Sequence, residues 1–173
     1  MNRLDVASLV LRVGLGVCIF LHGANKWRSP ASRAGTGAWF ASIGMRHAKI
    51  QAVMAAFTEM GAGLLLVAGL FVPSAAGAVI ATMIVAVVVA HRRSGFFIFN
   101  EGQGWEYCAM LGVMAVAIAG LGGGRISCDN ALDIDYGGTW GFLTGLTLGL
   151  LGAALHLIVS YRPAGSGQAS GAA

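Results

Sequence analysis

The chain has 173 residues, of which 57% are hydrophobic and 10% charged, with a net charge of +4. Soluble domains carry about 25% charged residues, so this composition excludes an ordinary soluble enzyme and points to an integral membrane protein of one small domain. Nucleic-acid binding is unsupported as well, because the basic residues lie in loops beside apolar spans, where anionic lipid headgroups are the natural partners.

A crossing helix needs about 20 mostly apolar residues. Five stretches meet or approach that length: 5–24, 49–72, 74–91, 105–123 and 139–160. The first could mimic a signal peptide, but no small-residue cleavage site follows it and further spans do, so it reads as a retained helix. It carries Arg12 and ends in "FLHGANKW". Loop 25–48 has an apolar, aromatic core at Trp39-Phe40 and Ile43-Gly44-Met45, which predicts a short helix. That helix either folds over the bundle as a lid or lies among the headgroups. The second span contains Glu59, and a turn at Val72-Pro73-Ser74 predicts an antiparallel hairpin with the third.

Small residues repeat every four positions at Ala78, Thr82, Ala86 and Ala90, and again at Gly141, Gly145 and Gly149. Such ridges let helix backbones approach closely. They serve either this chain's own packing or a partner's, and the glycine ridge on the last span is the candidate partner face. Residues 163–173 are small and polar, which predicts a disordered tail. Cys18, Cys108 and Cys128 form no CxxC pair, which argues against a dithiol motif or a zinc site. No metal site and no covalent cofactor is expected.

With five crossings, one face holds Lys26, Arg28, Arg33, Arg46, Lys49, Arg92, Arg93 and Arg162, and the other holds Arg3 and Arg125. The positive-inside rule then puts the cation-rich face in the cytoplasm, with the N-terminus outside and the C-terminus cytoplasmic; the expected location is the plasma membrane. Arg12 lies ten residues before His22 and Glu59 ten after Lys49, so both fall about 15 Å below the cation-rich face. Charges in a bilayer seek partners, which predicts an Arg12–Glu59 ion pair. The pair serves either as a structural staple or as the polar floor of a ligand pocket.

His22, His47, His91 and His156 all fall toward the cation-rich face, together with Trp27, Trp39, Trp105, Glu106 and Tyr107. Three readings compete. The aromatics can form an interfacial belt. Histidines can ligate metal or haem, although no HxxxH or HxxH pair is present. The cluster can also line a quinone pocket, an apolar slot with a few convergent polar groups. His22, Lys26, Glu106 and Tyr107 have the right types to bind a quinone carbonyl and exchange protons, with Trp39 above them.

The runs "LRVGLGVCIFLHGANKW", "GTGAWFASIGM", "FTEMGAGLLLVAGLFVPSAA", "GFFIFNEGQGWEYCAML" and "GGGRISCDNAL" occur in that order over residues 8–132. In this the sequence resembles the DoxX family of small bacterial membrane proteins. The resemblance implies an all-α, four-helix transmembrane bundle over residues 1–132, to which residues 133–162 add a fifth C-terminal transmembrane helix. Arg12, His22, Gly23, Lys26, Glu59, Glu106 and Tyr107 match the recurrent polar positions. The family is similar to the DoxD-type subunit of thiosulfate:quinone oxidoreductase. That implies a redox-associated subunit contacting quinone and docking to other membrane subunits. A non-enzymatic scaffold subunit is the alternative. A small-solute transporter ranks last, because the spans offer few polar residues for a path.

Overall fold

In the computed structural model, which describes residues 3–163, the chain folds into helices joined by short loops. They are α1 (Arg3–Trp27), α2 (Pro30–Ser42), α3 (Ala48–Ala68), α4 (Val72–His91), α5 (Glu106–Leu121), the single turn α6 (Cys128–Ala131) and α7 (Gly138–Ser160). Apart from Pro163, the tail expected to be disordered lies outside the described residues. Among the described residues, four helices, α1, α3, α4 and α7, are long and apolar enough to cross a membrane. The expected span 105–123 is shorter as a helix. α5 has 16 residues, about 24 Å at 1.5 Å per residue, against about 30 Å of hydrocarbon. It falls short of a full crossing by length, and it packs in the bundle against α4, α7 and α1.

Small residues set the seam between α1 and α3. A side chain at Gly23 would meet the Ala56 carbonyl at 2.5 Å, and one at Gly63 would meet the Gly16 carbonyl at 2.6 Å. Gly16 thus faces Gly63 and Gly23 faces Ala56, an antiparallel register that places Arg12 beside Val67 and Glu59 beside Phe20. This register overturns the expected Arg12–Glu59 pair. The two residues lie eight positions apart along α1, about 12 Å. Sequence depth misled because it set Lys49 level with His22, whereas Lys49 lies beyond the end of α1.

Arg12 instead closes the opposite end of the bundle. Its Nη1 donates to the Leu66 and Val67 carbonyls at 3.0 and 2.7 Å, and its Nη2 donates to the Ile126 carbonyl. Leu66 and Val67 lie in the last turn of α3, where helix geometry leaves carbonyls short of partners, and Ile126 lies in the loop after α5. Asp129 is fully buried and accepts from the backbone N–H groups of Phe71 and Val72 at 2.6 and 2.9 Å, capping α4. Ser8 donates to the Gly122 carbonyl at 2.6 Å, and Asp5 accepts from the Arg125 N–H at 3.1 Å. The 122–135 loop is thereby fastened to α1, α3 and α4.

The glycine ridge of α7 is used inside the chain. Side chains at Gly145 and Gly149 would meet Ala119 and Ile80 at 2.6 and 2.5 Å, and Gly141, Gly145 and Gly149 are all buried. The ridge therefore faces α4 and α5 and is not free to receive a partner. The far end of α7 is tied to the loop after α2. The Arg46 N–H donates to the Ser160 carbonyl at 2.8 Å, the Arg162 N–H to the Gly44 carbonyl at 2.8 Å, and Gln51 Nε2 to Ser160 Oγ at 2.8 Å.

Candidate functional site

A cavity of about 430 Å³ opens at the cation-rich end of the bundle. That volume lies within the range of small-molecule sites. α1 sends in His22 and Lys26, one turn apart on the same helical stripe as Cys18, because residues four apart share a face. α3 supplies Met54, Ala55, Thr58 and Glu59. α4 supplies Ala78, Ala81, Thr82 and Val85. Its final turn, Val87–His91, widens to π geometry and brings Val89 and His91 to the rim. α5 contributes Tyr107, Cys108 and Leu111, and α7 contributes Gly152 and His156. Trp39 and Phe40 of α2, with Met45 after it, close the end of the cavity.

Two polar groupings stand on this mostly apolar lining. The Lys26 ammonium lies 2.5 Å from Glu59 Oε2, and Glu59 is the more buried partner, 6% exposed against 20%. Lys26 also reaches back to the His22 carbonyl at 3.4 Å, as expected for a side chain tilted toward its helix N-terminus. In the second grouping, the Tyr107 hydroxyl lies 3.0 Å from His22 Nε2 and 2.9 Å from Cys18 Sγ. This phenol–imidazole–thiol chain joins α1 to α5, and the His22 and Tyr107 side chains remain exposed. At the rim, His91 Nδ1 lies 2.8 Å from the Gln103 carbonyl.

Of the residues singled out from sequence, His22, Lys26, Tyr107 and Trp39 line the cavity, and Glu59 joins them from α3. Glu106 does not. Its carboxylate accepts from the Ile98 N–H at 3.2 Å and steadies the preceding loop, because the first turn of α5 points Glu106 toward its own N-terminal connection. His47 begins α3 with φ 51° and is exposed, away from the cavity. Sequence reasoning placed His156 on the histidine-rich face without assigning it a role, named Cys18 and Thr82 only in other connections, and passed over Gln103. His156 and Cys18 did carry a signal: each lies on the apolar helix of a span, and Cys18 is one turn before His22. Among the described residues, no group of three or more His, Cys, Asp or Glu side chains is placed to hold a metal ion.

The DoxX family model matches residues 7–92, which run from the first turns of α1 to the end of α4. The chain belongs to the DoxX family. Members of that family are membrane proteins generally associated with redox and quinone-related complexes. The matched part of this DoxX chain includes His22, Lys26, Trp39, Glu59 and His91. Tyr107, Cys108 and His156 come from helices beyond it. No curated protein and no solved structure matches the chain. With four helices able to cross a bilayer, this DoxX chain is a multi-pass membrane protein that contacts lipid.

Proposed function

We propose that the chain is a redox-associated integral membrane subunit of a respiratory or thiol/sulfur-redox complex and that its cavity receives a quinone head group. One observation carries this reading: an apolar cavity in which Lys26–Glu59 and Cys18–Tyr107–His22 converge. A quinone carbonyl needs a hydrogen-bond donor, and reduction to the quinol takes up protons that an imidazole and a phenol can relay. Lys26 and Glu59 leave little net charge facing the ring, which suits a neutral guest in a low-dielectric site. The cation-rich end, which holds this cavity, is the cytoplasmic one in this reading, by the positive-inside rule.

The test is titration of the detergent-solubilised chain with a decyl-tailed benzoquinone. Tyr107→Phe removes the hydroxyl that bridges His22 and Cys18, and affinity should fall about tenfold, the value of one hydrogen bond of about 1.4 kcal/mol. Unchanged affinity in Tyr107→Phe and His22→Leu would sink the proposal. A second reading, a scaffold subunit, is favoured by the outer face of α7, where Trp140, Leu151, Leu155 and Ile158 are 65–74% exposed. Substitutions in the cavity would then leave complex assembly and turnover unchanged, whereas substitutions on that face would release the partner.

A further inference from the structure

We infer that His156 holds the second oxygen of the ring, so that the ligand is a lipid-soluble ring with hydrogen-bonding oxygens at both ends. This inference rests on the quinone reading above and deepens it. Among the described residues, three buried side-chain polar atoms have no hydrogen-bond partner: Arg12 Nε, Gln51 Oε1 and His156 Nε2. Only His156 lines the cavity. A buried ring nitrogen without a partner costs free energy, and native interiors nearly always pair such atoms. The nitrogen is covered in this conformation, and a turn of the imidazole about its side-chain torsions presents it to a ligand oxygen in the cavity.

The position of His156 in the bundle gives this unmet nitrogen its meaning. His22, Lys26 and Glu59 reach the cavity from α1 and α3, whereas α7 packs on α4 and α5 and presents His156 from another side. Between these groups, α4 offers Ala78, Ala81, Val85 and Thr82, and the Thr82 hydroxyl is already spent on the Ala78 carbonyl at 2.9 Å. Polar groups thus enter the slot both from α1 and α3 and from α7, and α4 adds an apolar stretch of wall. Gly152, one turn before His156, faces α4, where a side chain would come into contact with Ala81 at 3.4 Å. One turn after His156, Ser160 is held by Arg46 and Gln51, which fixes the height of the imidazole. Because α7 lies outside the region shared with the family model, this second hydrogen bond sets ligand choice in this chain separately from the shared part of the site.

The test compares two probes with the same tail on the solubilised full chain by isothermal titration calorimetry. One is a decyl-tailed 1,4-benzoquinone with two carbonyls, and the other a decyl-tailed cyclohexanone with one. The wild-type chain should favour the two-carbonyl ring by about tenfold. His156→Leu should abolish that preference while leaving ketone affinity unchanged, and His156→Gln, which keeps a hydrogen-bonding end, should retain most of it. Equal affinity of the wild type for both probes overturns the inference, as does a preference that survives in His156→Leu. If His156→Leu does not fold, the wild-type comparison and His156→Gln still decide. Failure of both probes to bind the wild type removes the quinone reading itself, and the inference with it.

Discussion

The Lys26 ammonium and the Glu59 carboxylate meet at 2.5 Å across the α1–α3 seam, and the carboxylate is the more deeply buried of the two. The two removals are therefore unequal. Lys26→Met strands a buried negative charge and should cost about 3–5 kcal/mol. Glu59→Gln leaves an ammonium that is partly exposed and can snorkel outward, so it should cost only about 1–2 kcal/mol. The double change Lys26→Met with Glu59→Leu should recover most of the loss. Thermal unfolding in detergent measures all three, and a larger penalty for Glu59→Gln than for Lys26→Met would refute the assignment.

Arg12 joins the end of α3 to the 122–135 loop through three carbonyls. Arg12→Lys keeps the charge but not the planar fork and cannot serve all three acceptors. Both Arg12→Lys and Arg12→Gln should destabilise by about 3 kcal/mol, as expected for loss of a buried charged network. Benzoquinone affinity of the folded fraction should stay the same, because Arg12 lies at the other end of the bundle. A change in that affinity without a change in stability would contradict this role.

Asp129 caps α4 from a distant loop, with its two oxygens on the N–H groups of Phe71 and Val72. Asp129→Ala should cost about 1–2 kcal/mol, the usual value of a helix cap. Hydrogen exchange should accelerate first at Phe71 and Val72. Unchanged exchange there would show that the cap contributes nothing.

Two glycine classes should respond in opposite directions. Gly149→Ala drives a methyl into Ile80 and should cost about 1–3 kcal/mol by overpacking. Gly14 on α1 has open space around it, so Gly14→Ala should stabilise by about 0.5–1 kcal/mol through helix propensity. Unfolding midpoints of the two variants should shift in opposite directions.

The helices were legible because a bilayer demands long apolar runs, and even the short helix α2 announced itself through Trp39-Phe40. The grouping of His22, Lys26, Trp39 and Tyr107 was legible too, because polar side chains in apolar helices are costly and stand out. Interhelical register was not. It depends on where Gly16 and Gly23 meet Gly63 and Ala56, a matter of surface shape that hydropathy does not encode. An error of eight positions in that register, about two turns, moved Glu59 from Lys26 to Arg12. Direction within a turn was also hidden, which is why Glu106 and Tyr107, adjacent in sequence, parted company. Asp129 gave no sign of burial, since an acidic residue in a polar loop ordinarily faces water.

The ties from Ser160 and Arg162 to the loop after α2 couple distant parts of the chain in time as well as in space. His22 leaves the ribosome early, but the wall bearing His156 exists only after α7 has entered the membrane. Until then the apolar slot beside Lys26 and Glu59 lacks one side, so an interrupted product carries the paired charges without a complete pocket.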